Sequence, residues 1–211
     1  MKLYTIKTPQ FVQSFYKEYI WRIKTKNKEV FLTFDDGPTP EITPFVLDEL
    51  KKYQAKATFF CIGKKIKKHP KLFQRIIDEG HTVGNHTQDH LSGWNTTNKT
   101  YKQSVEDCQK NIIKHHKTNQ KLFRPPYGKI RKSQAKELIK KGYKIIMWSV
   151  LSGDFDTSLP KENCLKNVLK NSVKGDIIVF HDSQKATEKV KFVLPNVLKH
   201  FKEKGFQFTK L

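Results

Sequence analysis

The strongest constraint on this chain is an alternation. Short runs rich in β-branched and aromatic residues, at 29–34, 57–62, 81–84, 121–124, 143–150, 176–180 and 205–209, are separated by stretches of helical period. Val46, Leu47, Leu50 and Tyr53 fall on one helical face, as do Leu72, Ile76 and Ile77, and further on Val105, Cys108 and Ile112. Gly80 and Gly142 supply C-terminal stops. Strand then helix, repeated about seven times, predicts a parallel α/β sheet, because parallel neighbours need a crossover and a helix is the usual one. Periodicity leaves an open sheet and a closed barrel as alternatives. In both, the C-terminal strand ends share one face, where sites are built. Asp35 and Asp36 follow the first run, His86 the third, Arg124 ends the fourth, Asp154 lies just beyond the fifth and His181 follows the sixth. Ionisable residues remote in sequence can therefore converge.

The chain has 211 residues, a length that suits one domain with a full core. Lys and Arg number 41 against 20 Asp and Glu, a formal charge of +21 that suggests nucleic acid. Yet basic pairs such as Lys51-Lys52, Lys64-Lys65 and Arg131-Lys132 are scattered, no nucleic-acid motif accompanies them, and no nucleic-acid partner is expected. An aromatic fraction of 12% excludes a disordered basic tail. No run approaches the roughly 20 apolar residues of a membrane span. Basic residues at 2, 7, 17, 22, 24, 26 and 28 interrupt any secretory apolar core. The expectation is a soluble, monomeric, cytoplasmic protein, with action at the cell envelope left open. Cys61, Cys108 and Cys164, odd in number and widely spaced, point to core packing rather than disulfides.

Two motifs carry chemistry. In His86-Thr87-Gln88-Asp89-His90, one helical turn would set two imidazoles at i and i+4 on the same face, able to share a metal ion. A catalytic zinc takes three protein ligands, and two His with one carboxylate is a common set. The third would come from elsewhere, since Asp89 would point away from that face. In Thr33-Phe34-Asp35-Asp36-Gly37-Pro38, adjacent carboxylates at a strand end meet a sharp turn, so the two side chains diverge. One can bind metal while the other stays free as a base.

These strings, with Arg124-Pro125-Pro126-Tyr127-Gly128 and Val179-Phe180-His181-Asp182, stand in the order and spacing of the polysaccharide deacetylase family, the NodB-homology or carbohydrate esterase family 4 domain, which the chain resembles from residue 29 to near its C-terminus. The resemblance implies an α/β fold, a distorted (β/α) barrel of about seven parallel strands. It implies one divalent metal ion, usually zinc, and removal of N-acetyl groups from N-acetylglucosamine-containing glycans such as peptidoglycan or chitin-type oligosaccharides. Carried over, the ligands are Asp36, His86 and His90, the base is Asp35, and Arg124 holds that base ionised. His181 is the general acid, since an expelled amine needs a proton that an imidazolium can give near neutral pH. The Tyr127 backbone N–H faces the oxyanion. The domain would span 29–211, with 1–28 an extension packed on it and an amphipathic helix near 11–19.

The fourth motif departs from the family pattern. Leu151-Ser152-Gly153-Asp154-Phe155 has Leu151 where an aspartate is usual, leaving Asp154 to tune His181, with Asp156 a substitute. Val179 replaces a leucine in the wall expected around the acetyl methyl. Trp94, on a Gly-containing loop after the histidines, could stack on a sugar ring, whereas Trp148 reads as core. Two other readings compete: an acetylxylan O-deacetylase of the same fold, and a catalytically idle basic module on an anionic polymer. The positive charge itself favours an anionic glycan.

Overall fold

The computed structural model describes residues 4–211. Its strands are β1 (Glu29–Asp35), β2 (Thr58–Cys61), β3 (Thr82–Asn85), β4 (Leu122–Phe123), β5 (Lys144–Ile145), β6 (Val150–Leu151), β7 (Ile177–His181) and β8 (Gln207–Phe208). Seven run parallel in the order β5-β4-β3-β2-β1-β7-β6, curled into a half-barrel, and β8 pairs with the start of β1. The crossovers carry α2 (Thr43–Lys52), α3 (Gly63–Lys68), α4 (Pro70–Asp78), α5 (Asn98–His115), α6 (Lys132–Lys140), α7 (Lys161–Asn171) and α8 (Thr187–Glu203). Among the described residues no helix is long and apolar enough to cross a membrane.

β1 runs inside the sheet between β2 and β7, and both its faces are apolar. Val30, Leu32 and Phe34 pack with Val46, Leu47 and Leu50 of α2 and with Val193, Leu194 and Val197 of α8. The alternate residue Phe31 turns to the other face and meets Phe60, Leu122, Ile146 and Ile177. The three cysteines are free and buried.

The run 143–150, expected as one strand, is two. β5 pairs with β4 and β6 with β7, at opposite ends of the strand order, so 146–149 carry the chain across the open seam of the half-barrel. Carbonyls freed by that crossing find donors elsewhere: Arg124 Nε and Nη2 donate to Ile146 and Met147 at 3.3 and 3.0 Å. An apolar run gives no sign of such a break, because its side chains stay buried on both sides of it.

The N-terminal segment fills the seam. The Ile20 N–H donates to the Ile145 carbonyl and the Ile20 carbonyl accepts from Met147 N–H, both at 2.8 Å, while residues 6–8 run antiparallel along β6. Both exposed sheet edges are thereby paired, which removes a template for aggregation. The helix expected near 11–19 is shorter, α1 at Gln10–Phe15, with Phe11 and Phe15 exposed. Tyr19 and Trp21 lie beyond it and are buried with Tyr101, Phe123 and Tyr143.

Candidate active site

Strand register brings the motifs together. Asp35 lies level with Phe60 on one side and His181 on the other, while Cys61 pairs with Asn85 and Asn85 with Phe123. The residues at or just after these positions, Asp35, Asp36, His86, Arg124 and His181, therefore face one end of the sheet.

At the end of β1 the two carboxylates part. Asp36 adopts a left-handed backbone with φ 79°. Gly37 follows because no side chain fits: a Cβ there would stand 1.9 Å from the Asp182 carboxylate. Asp35 Oδ1 accepts from Arg124 Nη1 at 2.7 Å. Arg124 is fully buried, shares that nitrogen with Thr33 Oγ1, and rests its guanidinium 4.2 Å from the Phe60 ring centroid. Burial pulls the Arg124 pKa down and the Asp35 charge opposes it. A buried arginine whose donors meet a carboxylate, a hydroxyl and two carbonyls is fixed in place.

His86 and His90 do not sit on a helical turn. They bracket a loop after β3 in which Thr87 and His90 have φ of 63° and 58°. For the β-branched Thr87 that conformation is costly, about 1–3 kcal/mol. Asn85 Oδ1 accepts from Thr87 N–H at 2.9 Å, Thr87 Oγ1 from Leu91 N–H at 3.1 Å, and the Thr87 carbonyl from Gly63 N–H at 3.0 Å. These bonds to a fully buried residue hold the strained turn, and the loop does what a helical turn was expected to do. Asp89 turns away to Lys64 at 2.5 Å.

Asp36 Oδ1 lies 3.1 Å from His90 Nε2 and 3.6 Å from His86 Nε2, yet it is buried without an aligned hydrogen bond. The three ligand atoms lie within 4.8 Å of one another. Three converging lone-pair donors with no proton aligned between them suit a cation better than one another, so the residues fit a divalent metal. His86 Nδ1 sits 2.8 Å from the Arg124 carbonyl, which sets the tautomer and leaves Nε2 free to ligate. Burial lowers the His86 pKa to about 4, so the ring stays neutral. Burial acts to raise Asp36, but close approach of His90 and the charges of His181, His86 and His90 outweigh it and hold the carboxyl well below its usual range.

Opposite stands His181. Asp154, fully buried, grips it twice at 2.7 Å, through Nδ1 and through the backbone N–H. Burial would lower the His181 pKa, yet the Asp154 charge and hydrogen bond, with Asp36 and Asp35, raise it to about 9. Asp156 instead accepts from the Tyr4 hydroxyl at 2.6 Å and from Ser158. Leu151 is level with Val179, and both line the cavity as an apolar wall. Burial also raises Asp182, to about 7, against the Thr43 hydroxyl bonded to it.

Asp35, Asp36, His86, His90 and His181 line one cavity of about 230 Å³. Tyr127 lies at its rim on a tight turn with φ 60°, its ring 4.6 Å from His90. The turn's own bonds run from Gly128 and Lys129 N–H to the Pro125 and Pro126 carbonyls and do not use the Tyr127 N–H. Trp94 is not among the lining residues: it is 56% exposed, its indole N–H donates to Ile130, and Lys129 Nζ lies 5.3 Å from its ring centroid. Trp148, read as core, packs partly buried against two apolar clusters and also lines the cavity from the break between β5 and β6. Phe155, Lys129, Lys185 and Tyr4 also line it. Only Phe155, one residue after Asp154, had a sequence signal.

The sequence model of the polysaccharide deacetylase family matches residues 22–146. A peptidoglycan-N-acetylglucosamine deacetylase of Bacillus cereus is 35% identical over 190 residues, covering 90% of this chain and 89% of the relative. A chitooligosaccharide deacetylase of Azorhizobium caulinodans is 33% identical over 170 residues, covering 76% and 77%. The crystal structure of a peptidoglycan N-acetylglucosamine deacetylase in complex with 4-naphthalen-1-yl-N-oxidanyl-benzamide superposes with a TM-score of 0.89 at 32% identity, covering 97% of this chain and 95% of the other. With the family model spanning more than half the chain and relatives alike over nearly its whole length, the protein belongs to the polysaccharide deacetylase family.

Proposed function

We propose that the protein is a metal-dependent hydrolase that removes the N-acetyl group from N-acetylglucosamine units of a peptidoglycan-type glycan. The observation that carries this reading is one cavity lined by the Asp36-His86-His90 triad, Asp35 and His181, with Arg124 buried behind Asp35 and Asp154 behind His181. The full-length likeness to a protein named for that activity supports the substrate.

Asp36, His86 and His90 would hold a divalent ion, and two imidazoles with one carboxylate favour zinc. Such an ion polarises the acetyl carbonyl and acidifies a water. Asp35, oriented by its ion pair with the buried guanidinium, takes the proton of the attacking water. The Tyr127 backbone N–H, which its own turn leaves unused at the cavity rim, would donate to the oxygen on which charge develops. His181, protonated because Asp154 sustains its charge, gives a proton to the departing amine nitrogen, which would otherwise be a very poor leaving group. Leu151 and Val179 offer the acetyl methyl an apolar wall.

Asp35→Asn is expected to reduce turnover of acetylated peptidoglycan fragments by about 10²-fold or more while keeping metal, and His90→Ala to lose the metal itself. Amine release and bound metal measured on the same preparations decide it. Near-full activity of Asp35→Asn would remove the assignment of the base, and activity that survives complete chelation would remove the metal.

A further inference from the structure

We propose that the N-terminal strap completes the active site, with Tyr4 forming the outer wall of the glycan cavity and holding Phe155 against His181. The strap precedes the segment matched by the family model, which begins at residue 22. It reaches the site because β6 fixes its path: the Thr8 N–H donates to the Ser149 carbonyl at 3.0 Å and the Leu151 N–H to the Ile6 carbonyl at 2.8 Å. Leu151 itself lines the cavity, so a segment paired to its backbone arrives at the rim within a few residues. There the Tyr4 hydroxyl donates to Asp156 Oδ2 at 2.6 Å.

The Tyr4 ring meets Phe155 edge-on with centroids 5.0 Å apart, and Phe155 meets the His181 imidazole in the same manner at 5.1 Å. Asp154 fixes one edge of His181, and this aromatic pair bears on its ring. Phe155 is only partly buried, so without Tyr4 its outer face opens to water and its rotamer loses a constraint. Tyr4 also presents its own ring to the cavity, where the apolar face of a pyranose can lie against it. Tyr4 thus acts on binding through contact and on proton delivery through Phe155, as a wall and a positioning residue.

This inference rests on the deacetylase reading, and its test separates the two. Metal-loaded full-length protein, Tyr4→Ala and Tyr4→Phe are compared on an N-acetylglucosamine oligomer for kcat, for KM and, by calorimetry, for oligomer binding, with metal content and thermal unfolding alongside. Tyr4→Ala is expected to lower kcat/KM roughly tenfold, through both parameters and with unchanged metal, and Tyr4→Phe to recover most of that loss because it keeps the ring. Equal losses in the two variants, or a change in Tyr4→Ala of less than about twofold, would overturn it. If Tyr4→Ala unfolds early, Tyr4→Leu, which keeps bulk without the ring, takes its place with the same two outcomes. A wild-type protein that binds the oligomer without turnover overturns the deacetylase reading alone, and the wall is then judged by whether Tyr4→Ala weakens binding. A wild type that does not bind the oligomer overturns both.

Discussion

At the scale of single residues, the proposed chemistry depends on a proton held by His181. As the proposed acid, His181 must carry its proton, and its pKa is raised from 6.5 to about 9 by Asp154. Activity should therefore fall as pH rises through the His181 pKa, below about 9 once a cation beside Asp36 and Asp35 cancels their share of the shift. In Asp154→Asn the charge is gone and burial prevails, so this alkaline limb moves down by more than about one unit and kcat at pH 7 falls with the protonated fraction. A pH–rate profile of the two proteins checks it, and an unmoved limb would mean that His181 is not the titrating acid. In the metal-free protein the sign is the same: stabilisation from the raised His181 is complete below about pH 6.5 and is lost as pH rises through about 9. Asp36, His86, His90, Arg124 and His181 were legible because each belongs to a short string whose chemistry has few alternatives. Trp148 was not, since an aromatic within an apolar run looks the same whether it faces a core or a cavity.

Among the elements, the informative one is the strand that divides. Residues 143–150 carry the period and composition of a single strand, but β5 and β6 close opposite ends of the sheet, and Arg124 satisfies carbonyls in the crossing between them. Arg124 therefore couples the seam to Asp35. The extension seals the same seam with Ile20 and residues 6–8, while Tyr19 and Trp21 add to the core around Phe123. If the extension folds with the rest as one cooperative unit, Trp21→Ala should cost about 3 kcal/mol. For a chain of this size that lowers the Tm by roughly 10 °C, measurable by thermal melting. An unchanged Tm would make residues 4–28 a separately melting appendage.

For the whole molecule, the charge of +21 is spread over the surface, and Lys129 and Lys185 carry it to the cavity itself. Long-range attraction should raise kcat/KM on a carboxylate-bearing glycan several-fold at about 0.01 M salt, where the screening length is about 30 Å, compared with about 8 Å at 0.15 M. A neutral chitin oligomer should respond little over that range, and an equal response from both would dismiss steering. The sequence by itself determined the parallel α/β class, the candidate ligand strings and the two carboxylates at the end of β1, because periodicity and motif spacing are local and the face they share follows from parallel strands. Only the tertiary structure decided where the half-barrel opens, that the histidine loop is strained rather than helical, that Trp148 rather than Trp94 lines the cavity, and that Tyr4 arrives there. Those outcomes depend on which strand edges remain unpaired once the sheet has curled, and edge pairing between residues more than a hundred positions apart leaves no periodic trace in the chain.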